Sequence, residues 1–232
     1  MKTRDTTPTD DIPIVFVVDD DPSIRESLES TICRCGWTPR AFASAQEFLA
    51  YPRALAPSCL ILSVTLPNQD ALDLKSLIAG RTAQPVIVIT EENDVPMTVR
   101  AMKAGAFEFM TKPLEEEAMV SAIIAAIDLS RDRMRREAEL QALSRCYATL
   151  SRREREVMAL VVDGRLNKLI GAGLGISEIT VKAHRGRVMR KMGAKSLAHL
   201  VRIAAELGLV RAWSGHPRTG GFTVSGTHAA VF

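Results

Sequence analysis

Polar residues gather where apolar runs end. Asp19, Asp20 and Asp21 follow Ile14-Val15-Phe16-Val17-Val18, and Ser63 closes Cys59-Leu60-Ile61-Leu62. Thr90 closes Val86-Ile87-Val88-Ile89, and a further run, Ala106 to Met110, leads into Thr111-Lys112-Pro113. Acids, hydroxyls and an amine set out this way suit the handling of a cation or of phosphoryl chemistry. Ser63 by itself is a very weak nucleophile, and an adjacent base would have to activate it. Residues 1–128 contain no histidine to do so. The charge balance agrees with a division of labour. Residues 1–128 carry 11 Lys/Arg against 19 Asp/Glu, a net of −8, and residues 129–232 carry 19 against 8, a net of +11. An acidic half and a basic half in one chain point to a polyanion as partner of the second.

The elements that position these residues alternate. Ile14–Val18, Trp37–Phe42, Cys59–Leu62, Val86–Ile89 and Ala106–Met110 read as strands. Helices are expected from Pro22-Ser23 onward, over 44–49 with Ser44 as cap, over 70–79, over 95–104 with Gly105 as the stop, and from Leu114 onward. The first, third and fourth strands are continuously apolar, as strands buried on both faces are. Five β-α units of this kind predict a flavodoxin-like parallel sheet, an α/β class whose sites lie at the carboxyl ends of the strands. No glycine occurs from Glu115 to Cys146, so the last helix is free to run on. It is expected to serve as a linker over 129–149, either as a coiled coil or simply as a solvated helix.

Together, the acid pair, the two hydroxyls and the Lys112-Pro113 step resemble the receiver domain of bacterial response regulators. The resemblance implies that Asp19 and Asp20 belong to a Mg2+ site, that Lys112 and Thr90 hold a phosphoryl group, and that Phe109 is the aromatic residue that turns inward on activation. It also implies an aspartate at the position of Ser63, the acceptor from a histidine kinase. Ser63 stands 43 positions after Asp20, and Thr90 stands 27 after Ser63, about one fewer than in relatives. Alanine at Ala71 replaces a common glycine. A degenerate receiver is therefore expected, with no cofactor required and only weak Mg2+ binding at Asp19 and Asp20. Asp70 and Asp73 are poorly placed to substitute as acceptors.

The basic half reads as all-α. Ser151-Arg152-Arg153-Glu154 is a capping box, Asn167–Leu174 a short helix, Gly175-Ile176 a turn, Ser177 the cap of a helix over Glu178–Met192, and Ser196–Leu207 a fourth helix. A short helix, a glycine turn and a basic helix make a helix-turn-helix. Leu150-Ser151-Arg152-Arg153-Glu154-Arg155-Glu156-Val157 and Ala194-Lys195-Ser196-Leu197-Ala198-His199-Leu200-Val201-Arg202 resemble the LuxR/NarL-type output domain, most nearly the FixJ group. Val181, Val188 and Met192 recur at helical spacing and should face the core. Lys182, Arg185 and Glu178 are the expected base contacts; Arg187, Arg190 and Lys191 the expected phosphate contacts; His184 is expected to pack or to touch a phosphate. Gly171 and Gly173 each cost up to ~1 kcal/mol relative to alanine, which predicts a less stable domain.

The expected domains are a disordered tail over 1–12, a receiver over 13–128, the linker over 129–149, the helix-turn-helix domain over 150–210 and a disordered tail over 211–232. No run approaches the ~18 apolar residues of a membrane helix, and no signal core opens the chain, so a cytoplasmic location is expected. Cys33, Cys35, Cys59 and Cys146 are too scattered for a disulfide framework, and Cys33-Arg34-Cys35 lacks a second ligand pair for zinc. The expectation is a DNA-binding transcription regulator, not an enzyme. It would act as a homodimer through the face of Lys103, Ala104, Ala106, Phe107 and Phe109, or with a histidine kinase or other protein partner. The alternative is an adaptor or antagonist that binds a kinase or another regulator through its receiver. Sequence-preferring DNA binding would separate the two.

Overall fold

The computed structural model describes residues 12–52, 55–64, 84–91 and 95–209. The chain divides into two units, Met1–Glu139 and Leu140–Phe232. The first is built on five strands, β1 Ile14–Val18, β2 Thr38–Phe42, β3 Ser58–Ser63, β4 Val86–Thr90 and β5 Glu108–Thr111. They hydrogen-bond in the order β2-β1-β3-β4-β5, every neighbour parallel. The three central strands are buried almost throughout, which is why they needed apolar side chains on both faces. Register aligns Val18 with Leu62, Ser63 with Ile89 and Thr90 with Thr111, so the carboxyl ends form one edge.

Helix α1, Pro22–Arg34, starts at Asp21, whose side chain accepts from the Ser23 N–H, with proline in the first turn where its missing N–H costs nothing. Helix α2, Ala45–Ala50, is capped by Ser44 as expected. Helix α3 spans Val95–Ala104 and ends at Gly105, whose φ of 98° favours glycine. The turn that follows moves the last strand. It was expected over Ala106–Met110 but begins at Glu108, because the Ala106 N–H is bound back to the Ala101 carbonyl at 3.1 Å. The helix expected over 70–79 lies outside the described residues.

Helix α4, Glu116–Ala148, is continuous over 33 residues. Its first half buries Met119, Ile123, Ala126 and Ile127, one stripe at helical spacing, against Val15, Val17, Ile61, Ile87 and Ile89 of the sheet, and buried Ser130 Oγ accepts from the Ser58 N–H at 3.1 Å. Residues 135–142 are all exposed. Leu143, Cys146 and Tyr147 then pack against the second unit's core.

That core belongs to four helices, α5 Arg152–Val162, α6 Asn167–Leu174, α7 Glu178–Lys191 and α8 Leu197–Glu206. Leu150, Val157, Val161, Ile170, Val181, Val188, Leu200 and Ile203 fill it. The α5 capping box is complete: the Glu154 N–H donates to Ser151 Oγ at 3.2 Å and the Ser151 N–H to Glu154 Oε2 at 2.8 Å. Ser177 and Ser196 cap α7 and α8. Gly171 was expected to cost up to ~1 kcal/mol relative to alanine at a position that needs a small residue for close helix packing, and the packing is tight enough to exclude alanine too. A Cβ there would lie 2.7 Å from the Ile176 carbonyl oxygen, so the close approach of the turn to α6 requires glycine. Gly173 has nothing within 4 Å and remains a cost.

Candidate functional site

The carboxyl edge of the sheet brings three of the expected residues together. Asp19 follows β1 and is almost fully buried. Its Oδ1 accepts from the Asp21 N–H at 2.9 Å and its Oδ2 from Lys112 Nζ at 3.0 Å. The same amine lies 3.3 Å from Ser63 Oγ and 3.8 Å from Glu91 Oε1. Lys112 is delivered by β5 and strapped to β4, its backbone N–H donating to the Thr90 carbonyl at 2.7 Å. The Lys112-Pro113 bond is cis. Thr90 is buried beside this strap. Asp20 is exposed, and Asp21 is engaged as the α1 cap. Phe109 is half-buried and packs against the cluster of Phe16, Val86 and Val88.

A Mg2+ ion favours oxygen ligands in near-octahedral order, with carboxylates among them. Here both oxygens of Asp19 already accept hydrogen bonds, Ser63 supplies a neutral hydroxyl, and Asp20 and Glu91 offer solvent-facing carboxylates. A cation would have to displace Lys112 to reach Asp19. The donors present fit a tightly held divalent ion poorly.

In the second unit, α7 carries the expected contact residues, and they divide. Glu178 and Lys182 are exposed and paired with each other at 3.1 Å. Arg187 and Arg190 are exposed. Arg185 is half-buried, its Nη1 donating to Asn167 Oδ1 of α6 at 3.3 Å. His184 is half-buried with Nδ1 enclosed and unpartnered. Lys191, expected at a phosphate, has its amine bound within the unit, 2.7 Å from Glu154 Oε2 and 3.0 Å from the Thr149 carbonyl.

Glu154 is the residue the sequence reading underused. It is 3% exposed, and the hydrogen bond from Lys191, with the Ser151 N–H next, holds its carboxyl down at about 2. The capping motif announces its local partner, but nothing in the local pattern announces Lys191. Burial has the opposite sign at Cys59, inside β3, where it pushes the thiol up to about 12. Cys33 and Cys35 are exposed and Cys146 is half-buried, all as free thiols.

An α/β unit with acid, hydroxyls and lysine at its strand ends, followed by a helix-turn-helix with a basic second helix, defines the class of response regulators with a DNA-binding output domain. Residues 15–124 match the response regulator receiver domain, and residues 148–204 match the luxR family of bacterial regulatory proteins. The chain is 46% identical over 199 residues to nodulation protein W of Bradyrhizobium diazoefficiens, covering 84% of this chain and 87% of that one. It is 36% identical over 197 residues to the transcriptional regulatory protein FixJ of the same organism, covering 84% and 96%. The solved structure of the response regulator StyR is similar with a TM-score of 0.71 at 38% identity, covering 84% of this chain and 99% of that one. The chain belongs to the FixJ-type response regulators with a LuxR-type DNA-binding domain. No helix among the described residues is long and apolar enough to cross a membrane.

Proposed function

We propose that this response regulator controls transcription by sequence-specific DNA binding through α7, and that its receiver is not switched by aspartyl phosphate. One observation carries the second clause. At the end of β3, where the family places its acceptor carboxylate, stands Ser63, its hydroxyl 3.3 Å from Lys112 Nζ. Among the described residues no histidine stands beside that hydroxyl to activate it, so on this reading it does not take over the acceptor's part. Mg2+ binds only weakly, through Asp19 and Asp20, and no cofactor is required. With serine in the acceptor's place, the chain is read as a cytoplasmic transcription regulator and not an enzyme. Homodimerisation or a protein partner sets its activity. On the face proposed for this, Lys103 is exposed and Phe107 and Phe109 are half-buried, while Ala106 belongs to the core.

The deciding experiment treats the purified chain with acetyl phosphate and Mg2+, then measures intact mass, size and binding to genomic DNA fragments. The expected result is unchanged mass together with sequence-preferring DNA binding before and after treatment. A stable gain of about 80 Da, one phosphoryl group, accompanied by a shift to dimer would overturn the phosphate-independent reading. A chain with no sequence preference at physiological salt would return the function to an adaptor.

A further inference from the structure

The orientation of α7 is fixed by what it buries. Val181 and Val188, with Met192 at the C-cap, face the core. At 3.6 residues per turn, the line opposite them passes through Ile179, Ala183, Gly186 and Arg190. All four are exposed, and Ile179 is 79% exposed. The outermost ridge of this basic helix is therefore apolar and low for its first three members. Charge flanks it, with Lys182 to one side and Arg187 to the other.

A single exposed isoleucine needs no explanation. A second observation gives this one meaning. Gly186 sits inside a helix, where glycine is destabilising relative to alanine. A Cβ on it would meet nothing within 4 Å, so no contact inside the unit asks for the gap. The contrast is Gly171, whose gap the Ile176 carbonyl fills. A gap that the fold itself does not use is one into which a second surface can press.

In the major groove, base edges present hydrogen-bonding groups and one apolar group, the thymine C5-methyl. The first turns of a recognition helix are the part that reaches base edges, and Ile179 lies there. We propose that Ile179 is a specificity-determining residue that packs on a thymine methyl group, with Ala183 and Gly186 low enough to let the helix settle against the base edges. The inference rests on the DNA-binding reading above and deepens it. The bases so read are A·T pairs at fixed positions in each half-site.

The test begins with selection of a preferred duplex from a random library by the full chain. Each thymine of the selected site is then replaced singly by deoxyuridine, which removes only the methyl group. The parent should lose about threefold to fivefold in affinity at one thymine per half-site, the effect of one buried methyl. Ile179→Ala should bind thymine and uracil equally there, Ile179→Val should keep most of the difference, and melting curves of both should match the parent. A parent indifferent to every uracil, or an Ile179→Ala variant that keeps the parent's discrimination, overturns the inference while leaving DNA binding intact. Failure to select any site sinks the function itself, and the inference with it.

Discussion

Lys112 and Lys191 make nearly the same arrangement in two different units. Each places its amine on a carboxylate almost removed from water, Asp19 at 3.0 Å and Glu154 at 2.7 Å. Each amine also reaches a second oxygen, Ser63 Oγ in one case and the Thr149 carbonyl in the other. The surroundings differ. Around Lys112 lie a side-chain hydroxyl, exposed Asp20 and exposed Glu91, at the strand edge where ligands of such folds bind. Around Lys191 the same carboxylate oxygen also takes a backbone N–H, which closes a helix cap. An ion pair does not announce its purpose. One lies at the strand edge, open to the side chains around it, and the other clasps the end of α7 to the start of α5.

Three substitutions sharpen the contrast, in falling order of expected effect. Ser63→Asp puts a carboxylate beside Asp19 and Lys112 and, on the proposed phosphate-independent reading, should turn a parent that acetyl phosphate leaves unchanged into a variant that gains a phosphoryl group. Intact mass with and without Mg2+ reads it, and an inert variant would show that more than the acceptor has been lost. Glu154→Gln should leave the receiver untouched and cost the second unit about 1–3 kcal/mol in denaturant unfolding, the range for a buried group stripped of its charged partner. Its pH dependence has a defined sign. The native carboxyl lies at about 2 against an ordinary 4.5, so its contribution is complete above pH 4.5 and fades as pH falls towards 2. The parent should lose that stability on acidification and Glu154→Gln should not. Smallest are the two glycines of α6. Gly173→Ala should raise stability by up to ~1 kcal/mol, and Gly171→Ala should lower it, because its methyl meets a backbone oxygen. Thermal melts that moved in the same direction would refute the packing argument for Gly171.

Much of the fold was legible because its signals are local. β1, β3 and β4 are buried on both faces and had to be apolar runs, and Ser44, Ser151, Ser177 and Ser196 lie within hydrogen-bond reach of the N–H groups they cap. The pocket was legible for a related reason, since Asp19, Ser63 and Lys112 each follow or end a strand in one register. The illegible parts are contacts between distant segments. Lys191 meets Glu154 across 37 positions and Arg185 meets Asn167 across 18, and periodicity carries no information about either. Counting charge along α7 therefore overstated how many cations face outward. The same period, applied to the outer side of the helix, would have found Ile179. Propensity likewise priced Gly171 without its neighbour, the turn folded against it.

Leu143, Cys146 and Tyr147 come from a helix that starts in the receiver, yet they roof the second core, where the Arg155 guanidinium lies 5.6 Å from the Tyr147 ring centre. This places the seam between the halves, at 139/140, later than the change of charge at 128/129 and ahead of the helix-turn-helix domain expected over 150–210. A lineage that swaps output domains between receivers by recombination must cross over ahead of residue 143. A junction at 150 would carry over the DNA-binding helices without the three side chains that cover their core.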